Sequence, residues 1–310
     1  MTKASAPGKI ILFGEHAVVY GRPAIAIPVR QVYAEATIEP HTDERVIIDA
    51  VDVARQHDLD SAPAGDPLAT IIRLTCARLD ATPSHFSVRI HSTIPIASGL
   101  GSGAAVSVAI ARALSRYLGA ELPPDEISAL AYQVEKLHHG TPSGVDNSVI
   151  AFERPVYFVR DRKIESFRVA QPFLLAIADT GIAAPTRIAV GDVRRGWEKD
   201  RARFESLFDK MGVIADKARK AIETGQVERL RHLMNANHIL LREIGVSSPD
   251  IERLILAAKT AGAHGAKLSG AGRGGNIIAW VNEVTQDKVE RALLKAGAKR
   301  VIISRIETEF

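Results

Sequence analysis

The order in which apolar runs change their period is the tightest constraint on this chain. From Phe173 onward, "FLLAIAD" reads as a strand, "PDIERLILAAKTAG" as a helix, "GAKLSG" and "NIIAWVN" as two strands, "TQDKVERALLKAG" as a helix and "KRVIISRIE" as a last strand. The first of these helices is bounded at both ends, with Ser248 at the cap, Pro249 at the first helical position and Gly262 at the stop. A long stretch from about Pro185 to Ile244 intervenes after the first strand, and its pattern ("ARFESLFDKMGVIADKARKAIETG", "QVERLRHLMNANHILLREIG") is helical throughout.

Strand, helix, strand, strand, helix, strand is the ferredoxin-like motif, here with a helical insertion. The half before it is richer in strands: "KIILFG", "PAIAIPV", "VYAEATIE", "RVIID" and "HFSVRIHS", with one helical pattern at "PLATIIRLTCARLD". Two helices follow, "AAVSVAIARALSRYLG", stopped by Gly119, and "PDEISALAYQVEKLHHG", stopped by Gly140. The first is apolar on nearly every side, as a buried central helix would be. A single core stops growing at about 250 to 300 residues, so a chain of 310 residues has room for two. We place the boundary near Ala170, giving domains 1–170 and 171–310.

Hydrophobic content of 46% and charged content of 25% are those of a globular protein. No apolar run reaches the roughly 18 residues of a spanning helix. The first residues, "MTKASAPGKIILFGEHAVVYG", lack a signal peptide's layout, because Gly14, Glu15 and His16 break the apolar stretch at once. A cytoplasmic protein with no membrane partner is expected. The one cysteine, Cys76, excludes an intrachain disulfide and a cysteine-rich metal site. A net charge of +4 suits an anionic ligand. Nucleic acid is not favoured as a partner, since Arg194, Arg195 and Lys199 alternate with Asp192 and Glu198 in the manner of a solvated helix face.

Four constellations could carry chemistry. The strand-like "FSVRIHSTI" runs into the stretch Pro95-Ile96-Ala97-Ser98-Gly99-Leu100-Gly101-Ser102-Gly103-Ala104-Ala105 and then a helix. Free amides and the positive end of a helix dipole would meet there, which is an anion site, although a glycine-rich tight turn has the same composition. The spacing matches neither a P-loop nor G-x-G-x-x-G. In "APGKIILFGEHAVVYG", Lys9, Glu15 and His16 are packed among apolar neighbours, at a cost unless paired or employed; a Lys9–Glu15 rim ion pair is the plain alternative. In "EKLHHGTPSGVDN", Glu135 lies near a helix end, and Gly140, Pro142 and Gly144 make a rigid loop ending in Asp146. One carboxylate would suit Mg²⁺ and the other a proton, while His138 and His139 read as loop or packing residues. The fourth, "KLSGAGRGGN", joins the two middle strands with more glycine than a hairpin needs.

In this order the four segments resemble the GHMP kinase superfamily of small-molecule, ATP-dependent kinases, and within it the mevalonate kinase family. "ADTGIAAPTR" and "MNANHILLREIGVSS" extend the likeness over nearly the whole chain. The resemblance implies an α+β, two-domain fold: an N-terminal ribosomal-S5-domain-2-like α/β domain and a C-terminal ferredoxin-like domain with a helical insertion. It implies ATP and Mg²⁺ as cofactors and transfer of phosphate to the C5 hydroxyl of mevalonate. Asp146 then corresponds to the catalytic aspartate, a base or a positioning anion, and Lys9 to the lysine that contacts the same hydroxyl. Glu135 corresponds to the Mg²⁺ ligand, Pro95 to Ala105 to the nucleotide phosphate loop, and Ser92 to a contact with ATP. Glu15, His16 and Thr180 fall in the mevalonate pocket, with Gly270, Ala271 and Gly272 on a loop that closes over it. The family's second loop serine, a metal ligand, is here Gly103, so either Ser102 or a water takes its place. Arg273 stands where glycine is common and would add positive charge near the phosphates. Other members of the superfamily, such as a phosphomevalonate kinase or a diphosphomevalonate decarboxylase, are the nearest rivals, and a non-catalytic nucleotide- or RNA-binding protein is the rival outside enzymes. The decarboxylases lack an equivalent of Lys9, and a non-catalytic protein would have lost the Lys9, Glu135 and Asp146 set that this chain keeps. Homodimers occur among proteins of this kind, which makes self-association the other partner to consider.

Overall fold

The computed structural model describes residues 1–96, 98–139, 143–183 and 186–308. Ala97 of the glycine loop, Gly140 and Pro142 of the turn before Asp146, and Pro185 at the start of the insertion lie outside the described residues, as do the side chains of His138 and His139.

The strand-rich half supplies β1 (Thr2–Phe13), β2 (Ala24–Pro40), β3 (Val46–Ala50), β4 (Arg55–Asp58), β5 (Phe86–Ser92), β6 (Val156–Phe158) and β7 (Glu165–Ser166). They form a sheet in the order β4-β3-β5-β2-β6-β7, with β1 paired to β2. "PAIAIPV" and "VYAEATIE" are therefore one strand rather than two. Residues 24–26 of β2 pair with β6 and residues 34–40 with β5, so Pro28 falls where neither of these neighbours needs its missing N–H. β3 and β5 run parallel, which demands a crossover, and α1 (Pro67–Arg78) lies within it. Asp66 caps α1 by accepting the Ala69 N–H at 2.9 Å, and Pro67 occupies the first turn.

Three more helices follow: α2 (Ser102–Tyr117), α3 (Pro124–His139) and α4 (Val145–Phe152). α2 is the central helix its composition suggests, packed against α1, α3 and α4. α4 was not legible as a helix. Its eight residues are shorter than the window over which a helical period shows, and its start is set by Gly144 in a left-handed conformation. Asp146 consequently sits in a first helical turn rather than at the end of the expected rigid loop.

The second half contains β8 (Phe173–Asp179), α5 (Thr186–Lys199), α6 (Arg201–Glu223), α7 (Leu230–Glu243), α8 (Pro249–Thr260), β9 (Gly265–Ser269), β10 (Asn276–Val281), α9 (Gln286–Lys295) and β11 (Arg300–Ile306). Its sheet is antiparallel in the order β11-β8-β10-β9, the ferredoxin-like topology, and α5 to α7 form the helical insertion. Ser248 caps α8 through the Ile251 N–H. No helix among the described residues is long and apolar enough to cross a membrane.

The chain forms two compact units. One comprises Met1–Lys9, Pro28–Ile96 and Leu100–Glu153; the other comprises Ile10–Ile27, the short stretch before Leu100, and the chain from Arg154 on. In the second unit the segment after β1 is held rigidly. Gly14 has φ +89°, and a β-carbon there would lie 2.3 Å from the Pro23 carbonyl oxygen and 2.5 Å from Ala24 Cα. Arg22 donates to Asp209 at 2.8 Å and to the Tyr20 carbonyl at 2.6 Å, and pairs with Glu205, while the Tyr20 ring stacks on Phe208 at 4.2 Å. Gly14→Ala meets backbone on one side and a disfavoured φ on the other, so we expect a loss of at least about 2 kcal/mol of unfolding free energy, read as a lower denaturant midpoint.

Candidate active site

Lys9 and Asp146 come together in the first unit. Lys9 lies on β1, its backbone N–H donating to the Leu100 carbonyl at 2.9 Å. Its ammonium reaches Asp146 Oδ1 at 2.8 Å; the lysine side chain is 5% exposed and the aspartate 33%. The cation is sheltered while the carboxylate is open to a reactant. Within this unit the partner of Lys9 is Asp146.

Gly101 makes this possible. It has φ +78°, and a β-carbon there would lie 2.9 Å from Lys9 Cγ and 2.9 Å from Ile150 Cδ1. Only glycine lets the lysine stem pass between the loop and α4. The same residue is the N-cap of α2, with no side chain capping the helix, and the Ala105 N–H makes the bond to its carbonyl at 2.9 Å. Helix geometry leaves the preceding amides without a helical partner, at the positive end of the dipole. Gly99 and Gly103 are exposed, whereas Leu100, Ala104 and Ala105 are buried and support the loop from beneath. Ile96 is exposed, Pro95 is half-buried, and the Ser92 hydroxyl accepts the Ile94 N–H at 3.2 Å.

Glu135 borders this mouth. A β-carbon at Gly103 would stand 3.3 Å from Glu135 Oε1, so the glutamate occupies the side of the helix start that a serine at 103 would face. α4 is fixed on α3 by Asn147, which donates to the Ser128 carbonyl at 3.1 Å and its hydroxyl at 2.8 Å. The described residues hold no cluster of three or more His, Cys, Asp or Glu able to enclose a metal. One carboxylate beside an amide-lined mouth suits a hard cation that takes most of its ligands from phosphate and water, as Mg²⁺ does.

The second unit contains Glu15, His16, Thr180 and the Gly270 to Gly272 loop, and it joins His16 to that loop. His16 is buried, and its Nε2 donates to the Ala271 carbonyl at 2.9 Å. Burial pushes its pKa down to about 4, partly offset by that bond, so the ring is neutral and Nδ1 is its acceptor. The Thr180 N–H donates to the Gly275 carbonyl at 2.8 Å, and the Thr180 hydroxyl accepts the Ile182 N–H at 3.2 Å. Gly272 must be glycine, because a β-carbon would lie 2.1 Å from the Val246 carbonyl oxygen. Gly270 and Gly272 both have positive φ.

Arg273 departs from expectation. Its guanidinium pairs with Asp192 and donates to the Gly245 carbonyl at 3.3 Å, so its charge is used to fasten the loop. Glu15 also has an unforeseen partner: its side chain and that of Lys267 are fully buried against each other, and Asn237 donates to the second carboxylate oxygen at 3.0 Å. Asn276 donates to the Ser98 carbonyl. Lys267 carried a signal as a charge within the apolar strand "GAKLSG", whereas Asn237 and Asn276 lie inside the segments quoted above without any local feature that marks their partners.

Comparison with known proteins covers the arrangement from end to end. The model for the GHMP kinases N terminal domain matches residues 68–154, and that for the GHMP kinases C terminal matches residues 218–299. The mevalonate kinase of Pyrococcus horikoshii is 38% identical over 99% of this chain and 96% of that protein. That of Thermococcus sibiricus is 35% identical over 96% and 94% respectively. The crystal structure of L. major mevalonate kinase in complex with R-mevalonate has 30% identity and a TM-score of 0.86, covering 100% of this chain and 97% of the other. With both family models matched in order and near-complete alignment to these relatives, the chain belongs to the mevalonate kinases of the GHMP kinase family.

Proposed function

We propose that this protein transfers the γ-phosphoryl group of ATP to the C5 hydroxyl of mevalonate, releasing 5-phosphomevalonate and ADP. The observation that carries the reading is the Lys9–Asp146 pair, a buried ammonium against a half-open carboxylate beside the glycine-lined start of α2. Phosphoryl transfer asks a protein mainly for alignment and neutralisation of charge. Asp146 accepts the proton of the acceptor hydroxyl and orients its oxygen, and Lys9 steadies the negative charge that develops there. Loop amides between Ser98 and Ala105 bind the nucleotide's phosphates, with Pro95, Ile96 and Ser92 bordering the nucleotide. Glu135 and Ser102 would hold a Mg²⁺ ion, which when bound neutralises phosphate charge. His16, Thr180 and Gly270 to Gly272 bind the remainder of the acceptor, and Glu15 supports His16. In domain terms, the nucleotide loop belongs to residues 1–170 and the Gly270 to Gly272 loop to residues 171–310.

A coupled assay with mevalonate, phosphomevalonate and homoserine in parallel, with product masses, tests the reading. Turnover is expected with mevalonate, and preference for another acceptor would overturn it. Asp146→Asn should lower kcat at least about 100-fold while ATP still binds by calorimetry. Lys9→Met should lower kcat at least about tenfold. Neutral His16 predicts a mevalonate KM with no histidine titration between about pH 6 and 8.

Acid sensitivity follows from the same histidine and from His238, which burial also pushes down to about 4 against the pull of Glu252. Both folded values lie below that of the unfolded chain, so the unfolded state binds more protons between them. The contribution to stability is complete above about pH 6.5 and is lost as pH falls toward 4. Unfolding free energy should drop by roughly 1–2 kcal/mol per histidine between pH 7 and 5, and His238→Gln should make the decline shallower.

A further inference from the structure

We propose that Lys267, Glu15 and Asn237 form a buried clamp that holds His16 in a strained turn, making Lys267 and Glu15 positioning residues for the alcohol acceptor. The inference deepens the acceptor-pocket reading above and rests on it.

The two ions of the clamp are fully enclosed, while Asn237 Oδ1 is buried with no hydrogen-bond partner among the described residues. The Lys267 ammonium contacts the Glu15 carboxylate, donates to the Leu268 carbonyl at 2.7 Å and stands 5.8 Å from the centre of the Phe13 ring. Glu15 Oε1 takes the lysine and Oε2 takes Asn237, and both ionic side chains are 0% exposed. Neither carboxylate oxygen is left to bind a reactant directly. An ion pair buried this deeply gives little stability beyond that of apolar residues of equal volume, so its service has to be sought in what it orders.

The residue it orders is the next one. His16 has φ 60° and ψ −47°, and the Ala17 N–H donates to the Glu15 carbonyl at 2.6 Å. That is a three-residue γ-turn of the rare, strained hand, centred on a residue with a β-carbon. Glu15 anchors the turn through its side chain on one side, and the His16 ring meets the Ala271 carbonyl on the other. Lys267 lies on β9, the strand that leads directly into Gly270 and Ala271. Further along the same strand, the Ser269 hydroxyl donates to the Ile11 carbonyl at 2.7 Å. The clamp thus ties the turn that carries His16 to the strand that carries the glycine loop, and it sets where the imidazole acceptor nitrogen stands.

A structural pair and a positioning pair respond differently to apolar replacement. In the full-length double variant Glu15→Leu/Lys267→Met no charge is left unpaired, and cooperative unfolding should persist. Two readouts are then taken: the ring ¹⁵N resonances of His16, assigned by their loss in His16→Gln, and the KM values for mevalonate and ATP. We expect the resonances to move away from those of the neutral Nε2–H tautomer, and the mevalonate KM to rise at least about tenfold with the ATP KM within about twofold. Unmoved resonances, or a mevalonate KM equal to that of the wild type, overturn the proposal. If the double variant fails to fold, Asn237→Ala is judged by the same two readouts. If the wild-type enzyme does not phosphorylate mevalonate, the proposed function fails, while the His16 resonances still decide whether the clamp holds the turn.

Discussion

The passage of Lys9 across Gly101 to Asp146 is the contact on which the proposed active site depends. Three elements meet in it: a strand that brings the lysine, a loop that must lack a side chain, and a short helix that brings the carboxylate. The lysine stem fills the space a β-carbon at 101 would need, so loop conformation and ion pair specify each other. Because Gly101 is also the N-cap of α2, the same residue that admits the lysine starts the helix whose amides face the loop's mouth. The ion pair and the start of α2 are therefore registered by one backbone position.

The second unit solves a similar problem with different means. Its glycine loop is fastened at Val246, Ile182 and Thr180 by main-chain bonds and at Asp192 by Arg273. Fixing a loop this glycine-rich before a ligand arrives removes conformational freedom that binding would otherwise have to overcome. Gly14 and the Arg22 contacts do the same for the chain on either side of Glu15 and His16. Strain at His16 is tolerated because its neighbours over-determine it.

Much of this was legible before any coordinates. The ferredoxin-like order, the α8 boundaries at Ser248, Pro249 and Gly262 and the buried character of α2 all follow from period, caps and local composition, whereas the role of Lys9 came only from the family resemblance. Other features were not. Pro28 made one strand look like two, because a proline reads as a break unless the pairing on each side of it is known. α4 was too short to display a period, and β6 and β7 are only 3 and 2 residues long. Arg273 looked free, and its partner Asp192 lies 81 positions away in sequence.

By itself the sequence determined which backbone positions must be bare, where the longer capped helices such as α1 and α8 begin, and which charged groups stand among apolar neighbours. These are local properties: backbone freedom at glycine, capping at Ser and Asp, and the cost of an unpaired buried charge act over a few residues. Tertiary structure alone decided which charge answers which. Lys9 is nearer in sequence to Glu15 yet pairs with Asp146, and Glu15 pairs instead with Lys267, 252 positions on. The physical reason is that an ion pair is selected by distance and desolvation in space, and neither is encoded in the separation of two residues along a chain.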